Sequence, residues 1–160
     1  MNTEKQSDLT RRAFCRCAGS AISMSALAGG AGALLAGCAS PTSPSGGTAL
    51  PVVNGTSSGR TVSITVDASS PVATVGGMAI TQTPLGVFLV GRTSQTTFSA
   101  LSSVCSHQGC TVSGYSGNQY ICPCHGASFN TNGQVTGGPA PTGLVLYPSQ
   151  FANNVLTFTV

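Results

Sequence analysis

The sequence has no tryptophan and very little charge, with six Lys or Arg and three Asp or Glu in 160 residues. Four of the cations (Lys5, Arg11, Arg12, Arg16) and two of the acids (Glu4, Asp8) precede residue 17, which leaves Arg60 and Arg92 against Asp67, a net +1. With no lysine after Lys5 there is no basic footprint for nucleic acid, and no field strong enough to steer a charged partner. The scarcity of charge does not signal disorder. Disorder combines high net charge with low hydrophobicity, whereas 41% of these residues are hydrophobic. Amphipathic helices are also missing, since no window carries an apolar stripe at a 3.6-residue period. The length allows one folded domain.

Residues 1–37 read as an export signal. A polar start leads into Thr10-Arg11-Arg12-Ala13-Phe14-Cys15-Arg16, followed by an uncharged run of Ala, Gly, Ser and Leu. This resembles a twin-arginine signal, the type that exports proteins already folded around a cofactor, although Cys15 stands where the consensus has a large apolar residue. The run closes on Leu35-Ala36-Gly37-Cys38, which resembles a bacterial lipobox with Cys38 as the lipidated residue and mature N-terminus. The alternative is a hydrophobic N-terminal anchor, for which residues 17–37 are long enough but weakly apolar. The tract that follows, to residue 59, is rich in Pro, Ser, Thr and Gly and is expected to be a flexible linker.

From Arg60 to Val160 the pattern is β. Val62, Ile64 and Val66 alternate with Ser63 and Thr65, as Leu156, Phe158 and Val160 do with Thr157 and Thr159, each a period of two with one buried face. Short apolar runs at 72–75, 78–81, 87–90, 97–101, 119–121 and 144–147 supply further strands. Gly76-Gly77, Gly117-Asn118 and Asn132-Gly133 read as hairpin turns between them. The expected fold is all-β, an antiparallel sandwich over a single modest core, with the chemistry on two loops.

Those loops are Cys105-Ser106-His107-Gln108-Gly109-Cys110 and Cys122-Pro123-Cys124-His125-Gly126, which hold both histidines and four of the seven cysteines. Two plain disulfides in an exported domain are one reading. A zinc site is another, although six candidate ligands exceed the four that zinc takes.

A Cys-x-His box and a Cys-x-x-His box with 14 residues between them resemble the ligand boxes of the Rieske iron–sulfur family. The resemblance implies a [2Fe-2S] cluster with Cys105 and Cys122 on the inner iron and His107 and His125 on the outer one. It also implies a disulfide between Cys110 and Cys124 that staples the two loops, as in the respiratory branch of the family. Gly138, Pro139, Ala140 and Pro141 match the family's proline loop, which shields the cluster from water. Every cysteine then has a place, because Cys15 and Cys17 leave with the signal and Cys38 is acylated.

The resemblance implies an electron carrier or redox subunit rather than a stand-alone enzyme. The ring-hydroxylating branch of the family needs a second iron on two more histidines and a carboxylate. This chain has no third histidine, and only Asp67 remains as an acid after the signal. The respiratory members carry Ser and Tyr hydroxyls where this sequence has Ala127 and Phe129, and an apolar residue at the docking tip where it has Gln108. The reading is an exported, lipid-anchored Rieske carrier on the outer side of a bacterial membrane, serving a redox partner protein. The alternatives are the small Rieske subunit of a larger oxidoreductase, resembling arsenite oxidase or quinol–cytochrome c reductase, and a zinc or disulfide module without redox function.

Overall fold

A computed structural model describes residues 47–160, so the export signal, Cys38 and the linker as far as residue 46 lie outside the described residues. All the regular structure described is β, arranged in three antiparallel sheets. The outer sheet contains β2 (Thr56–Ser58), β3 (Thr61–Thr65), β12 (Ser149–Ala152) and β13 (Val155–Thr159), in the order β12-β13-β3-β2. The middle sheet contains β4 (Met78–Thr83), β5 (Gly86–Arg92), β6 (Phe98–Ser102) and β11 (Leu146–Tyr147), in the order β11-β6-β5-β4. A third sheet of five short strands runs β1-β7-β8-β9-β10: β1 (Thr48–Ala49), β7 (Gly114–Ser116), β8 (Gln119–Ile121), β9 (Ser128–Asn130) and β10 (Val135–Gly137).

Instead of the single core expected from the sequence there are two, because the middle sheet is covered on both faces. Ala79, Phe88, Val90, Phe98 and Ala100 pack with Val62, Ile64, Leu156 and Phe158 of the outer sheet. Met78, Ile80, Leu89 and Leu101 pack the other way, with Tyr120, Phe129, Cys105 and Cys122. Strands buried on both faces carry continuous apolar runs instead of alternating ones, which is why Met78-Ala79-Ile80 and Phe88-Leu89-Val90 are buried throughout. Complete burial of each large side chain contributes roughly 1.5–3 kcal/mol, so the inner core braces the region that carries the two cysteine boxes.

Two expectations from the sequence are corrected. Residues 47–59 are no tether: β1 pairs with β7 and β2 with β3, and the Val53 N–H donates to the Ile80 carbonyl at 2.9 Å. Leu50 and Val53 are buried in the inner and outer cores respectively, and these anchors are diluted when the tract's composition is averaged. Residues 72–75 form turns instead of a strand. The Ser70 N–H donates to the Asp67 carbonyl at 3.1 Å and the Ala73 N–H to the Ser70 carbonyl at 2.9 Å, so Gly76-Gly77 joins no hairpin. Val72 is a buried plug beneath these turns. Arg92 secures them through its guanidinium, which donates to the carbonyls of Ala73, Ser94 and Gln95 and lies over the rings of Phe98 and Phe151.

Asp67 accepts hydrogen bonds from the Ser69 hydroxyl (2.6 Å) and the Ser69 N–H (2.8 Å), which hold its carboxyl below the ordinary value. A depressed folded-state pKa gives stabilisation that is present above the unfolded value and lost as pH falls through the folded one. In Ser69→Ala the Asp67 carboxyl, followed by NMR, is expected to titrate at higher pH than in the parent. An unchanged midpoint would show that the hydroxyl contributes nothing.

Candidate metal centre

The third sheet brings three loops to one end. Because β7, β8, β9 and β10 are successive antiparallel neighbours, the start of β7, the end of β8, the start of β9 and the end of β10 share an edge. The first box leads into β7, the second joins β8 to β9, and residues 138–142 leave β10 there. The tight turns at Gly117-Asn118 and around Asn132-Gly133 fall at the opposite edge, so these two hairpin expectations hold.

The two boxes share one turn. In the first, the Cys105 N–H donates to the Cys110 carbonyl and the Gly109 N–H donates back to the Cys105 carbonyl, both at 2.9 Å. In the second, Cys122 N–H to Ala127 carbonyl (2.8 Å) and Gly126 N–H to Cys122 carbonyl (3.0 Å) repeat the pattern at the same offsets. The fifth residue of each turn has a left-handed φ, 73° at Gly109 and 72° at Gly126, which glycine adopts without steric cost. Each turn therefore begins with a cysteine, and each carries its histidine near the apex.

The side chains pair like with like. Cys105 and Cys122 are free, buried and close enough for their thiols to interact. The rings of His107 and His125 meet edge to face with centroids 4.7 Å apart. A single zinc would draw all four donors into one tetrahedral nest. Among the described residues, the Cys, His, Asp and Glu side chains found as a group with donor atoms within 4.8 Å are those of Cys110, Cys122 and Cys124 instead. His107 Nδ1 is buried with no hydrogen-bond partner, a costly state for a polar atom unless it has a ligand. Two thiols beside two imidazoles, one with an orphaned buried nitrogen, fit a two-metal group with sulfur at one end and nitrogen at the other.

Burial pushes the Cys105 thiol above its ordinary pKa, while the backbone N–H groups of His107 and Gln108, directed at its sulfur, act in the opposite sense. Such donors favour a thiolate, the form in which cysteine binds metal. Cys110 and Cys124 form a disulfide between the boxes with a Cα–Cα distance of 6.5 Å.

Residues 138–141 lie against the second box. A Cβ built on Gly138 would come within 2.6 Å of the Ala127 Cα and 2.8 Å of the Gly126 carbonyl oxygen. Ala140 is buried in the same core as Cys105 and Cys122, while Pro139 and Pro141 face solvent. Ser106, which sequence reading passes over, ties this third loop to the first box: its hydroxyl donates to the Thr142 carbonyl at 2.6 Å. No local signal could reveal that bond, because its partner lies 36 residues away.

Paired thiols and paired imidazoles on stapled loops define an iron–sulfur electron-transfer protein of the mixed-ligand class. The family profile for the Rieske [2Fe-2S] domain matches residues 63–148, more than half of the chain, and the protein belongs to that family. The cytochrome b6-f complex iron-sulfur subunit of Prochlorococcus marinus (strain AS9601) is 53% identical over 47 residues, covering 29% of this chain and 26% of the relative. The match thus spans about a quarter of the curated relative's length. The plasma membrane Rieske protein of Synechocystis PCC 6803 is 32% identical, covering 52% of this chain and 87% of that one, with a TM-score of 0.47. Naphthalene 1,2-dioxygenase with indole bound in its active site shares the fold, with a TM-score of 0.50 at 17% identity over 61% of this chain and 25% of that one.

Proposed function

We propose that this protein passes single electrons between partner proteins in the cell envelope, through a [2Fe-2S] cluster held by Cys105 and Cys122 on one iron and His107 and His125 on the other. The pairing of thiol with thiol and imidazole with imidazole carries this assignment. When bound, the cluster accepts and releases one electron, at a potential raised by its two neutral imidazoles. The chain's own part is to hold four donors in two matched turns, bury the cysteine end and leave His125 exposed as the electron's exit. Iron and acid-labile sulfide analysis with electron paramagnetic resonance of the reduced protein tests the reading. One zinc per chain and no sulfide would overturn it.

In this reading the protein is a carrier outside a quinol-oxidising complex. Gln108 is exposed at the tip of the first box, a polar group where an apolar docking contact is expected. Ala127 and Phe129 are fully buried in the core shared with the two cysteines and bring no hydroxyl to the sulfurs. Hydrogen bonds to sulfur stabilise the reduced state, so the potential is expected near the middle of the range of about −150 to +300 mV. A restored donor that favours the reduced state by roughly 1.5 kcal/mol raises a one-electron couple by about 60 mV. Redox titration of Ala127→Ser and Phe129→Tyr checks this, and variants that do not rise would show that other donors tune the site. The local identity with a cytochrome b6-f iron-sulfur subunit favours a second reading, a subunit of a larger oxidoreductase, which would show as stoichiometric co-purification with its complex.

The proposed route to the envelope is export by the twin-arginine system, followed by lipidation at Cys38. Changing Arg11 and Arg12 to lysine is expected to leave precursor in the cytoplasm, and Cys38→Ala to abolish lipid labelling. A mature chain that keeps residues 1–37 would establish the uncleaved anchor instead.

A further inference from the structure

The sulfur of Cys122 lies within 4.8 Å of both sulfurs of the Cys110–Cys124 disulfide, and Cys105 stands outside that group. A free thiol held next to a disulfide is the arrangement from which thiol–disulfide exchange proceeds, because a thiolate attacks one sulfur and displaces the other. We infer that, in the metal-free protein, Cys122 attacks its neighbouring disulfide, and that cluster ligation prevents this.

The surroundings select which sulfur is attacked. Attack on Cys124 would close a ring across Pro123 alone, whose φ is fixed, and would expel Cys110, which is half-buried. Attack on Cys110 instead expels Cys124, which is exposed, so its thiolate leaves into water. In the favoured step the Cys110–Cys124 bond breaks, a Cys110–Cys122 bond forms, and the proton lost by Cys122 is regained by Cys124 through solvent. No oxidant or reductant is consumed, and the chain still holds one disulfide and two thiols in this loop pair.

The product cannot take up a cluster, since Cys122 is occupied and the released thiol of Cys124 faces outward. Metal insertion before disulfide closure, or together with it, avoids this product. A reducing compartment, where all four cysteines are thiols, is the place where this order is met. The protective part of the inference rests on Cys122 being an iron ligand, as proposed above, whereas the exchange itself does not.

The test uses the purified, oxidised holoprotein, with one portion stripped of iron by a chelator under anaerobic conditions. Both portions are incubated at mildly alkaline pH, quenched with iodoacetamide and mapped by peptide mass spectrometry. The metal-free protein is expected to accumulate Cys110–Cys122 with alkylated Cys124, at a constant thiol count, whereas the holoprotein keeps Cys110–Cys124 alone. Proximity is expected to favour Cys122 over Cys105 as the attacking residue by roughly tenfold relative to the same protein in urea, where the chain is disordered and scrambling is random. Metal-free Cys122→Ser should retain the native linkage. Persistence of Cys110–Cys124 in metal-free protein, or a linkage distribution equal to that in urea, overturns the exchange. Equal exchange in the holoprotein overturns the protection and, with it, the ligand assignment of Cys122.

Discussion

Cys105→Ser and Cys122→Ser are each expected to yield a folded protein that holds no cluster. A serine hydroxyl is a poor ligand for an iron–sulfide core, which needs the soft thiolate. The same hydroxyl, buried where the thiols now sit, lacks the water it prefers and destabilises the apoprotein by about 1–3 kcal/mol. The three sheets are otherwise untouched, so far-UV circular dichroism should stay close to that of the parent. Iron, acid-labile sulfide and the reduced-state paramagnetic signal should fall together to background. A variant that retained the cluster in full would move the ligand assignment to another sulfur.

Gly138→Ala is expected to be strongly destabilising. Gly138 has φ 81°, and its added Cβ would meet the backbone of Ala127 and Gly126, which cannot swing aside as a side-chain tip would. The loop must lift off the second box or the second box must move. Gly109→Ala is the matched control, because φ there is a comparable 73° with nothing within 4 Å of the new methyl. The control carries the left-handed penalty alone, about 1–2 kcal/mol, while Gly138→Ala adds the clash, for a total of roughly 3–5 kcal/mol. Ser106→Ala, which loses two hydrogen bonds to the same loop, the hydroxyl donating to the Thr142 carbonyl at 2.6 Å and accepting from the Thr142 N–H at 3.4 Å, should cost about 1–2 kcal/mol. Thermal denaturation ranks the three, and the rate of iron loss to a chelator should follow contact with the third loop, with Gly138→Ala fastest. If Gly109→Ala proved as harmful as Gly138→Ala, backbone conformation would account for both and the seating of the loop would not matter.

The chemistry was legible in the sequence because it is concentrated. Four cysteines and both histidines fall into two short boxes, and the disulfide implied by family resemblance is present between Cys110 and Cys124. The glycines at the fifth position of each box were visible too, although only the backbone shows that they make one turn twice. What stayed hidden depends on distant partners. Ser106 looks like filler between two chemically active residues until Thr142 arrives from beyond β10. Leu50 and Val53 are lost in a tract of Pro, Ser and Gly, because composition averages over the few side chains that anchor it. Val72 and Val75 suggest a strand, yet Asp67 and Ser70 offer the backbone a better local set of bonds. Asn153 and Asn154, both with positive φ, turn the β12–β13 hairpin, and an Asn-Asn pair is easily passed over beside stronger turn signals.

The repeated turn has a consequence for speed. An electron can jump only when the atoms around donor and acceptor sit in positions that suit both charge states, and every bond that must stretch or swing beforehand slows the jump. Here each box is closed by its own pair of backbone hydrogen bonds, joined to the other box by a disulfide, and tied to the third loop through Ser106. Little is left that could swing. Gaining or losing an electron should therefore leave the surrounding atoms almost where they were, and the nuclear contribution to the barrier is set by the metal group and nearby water, with the protein frame adding little.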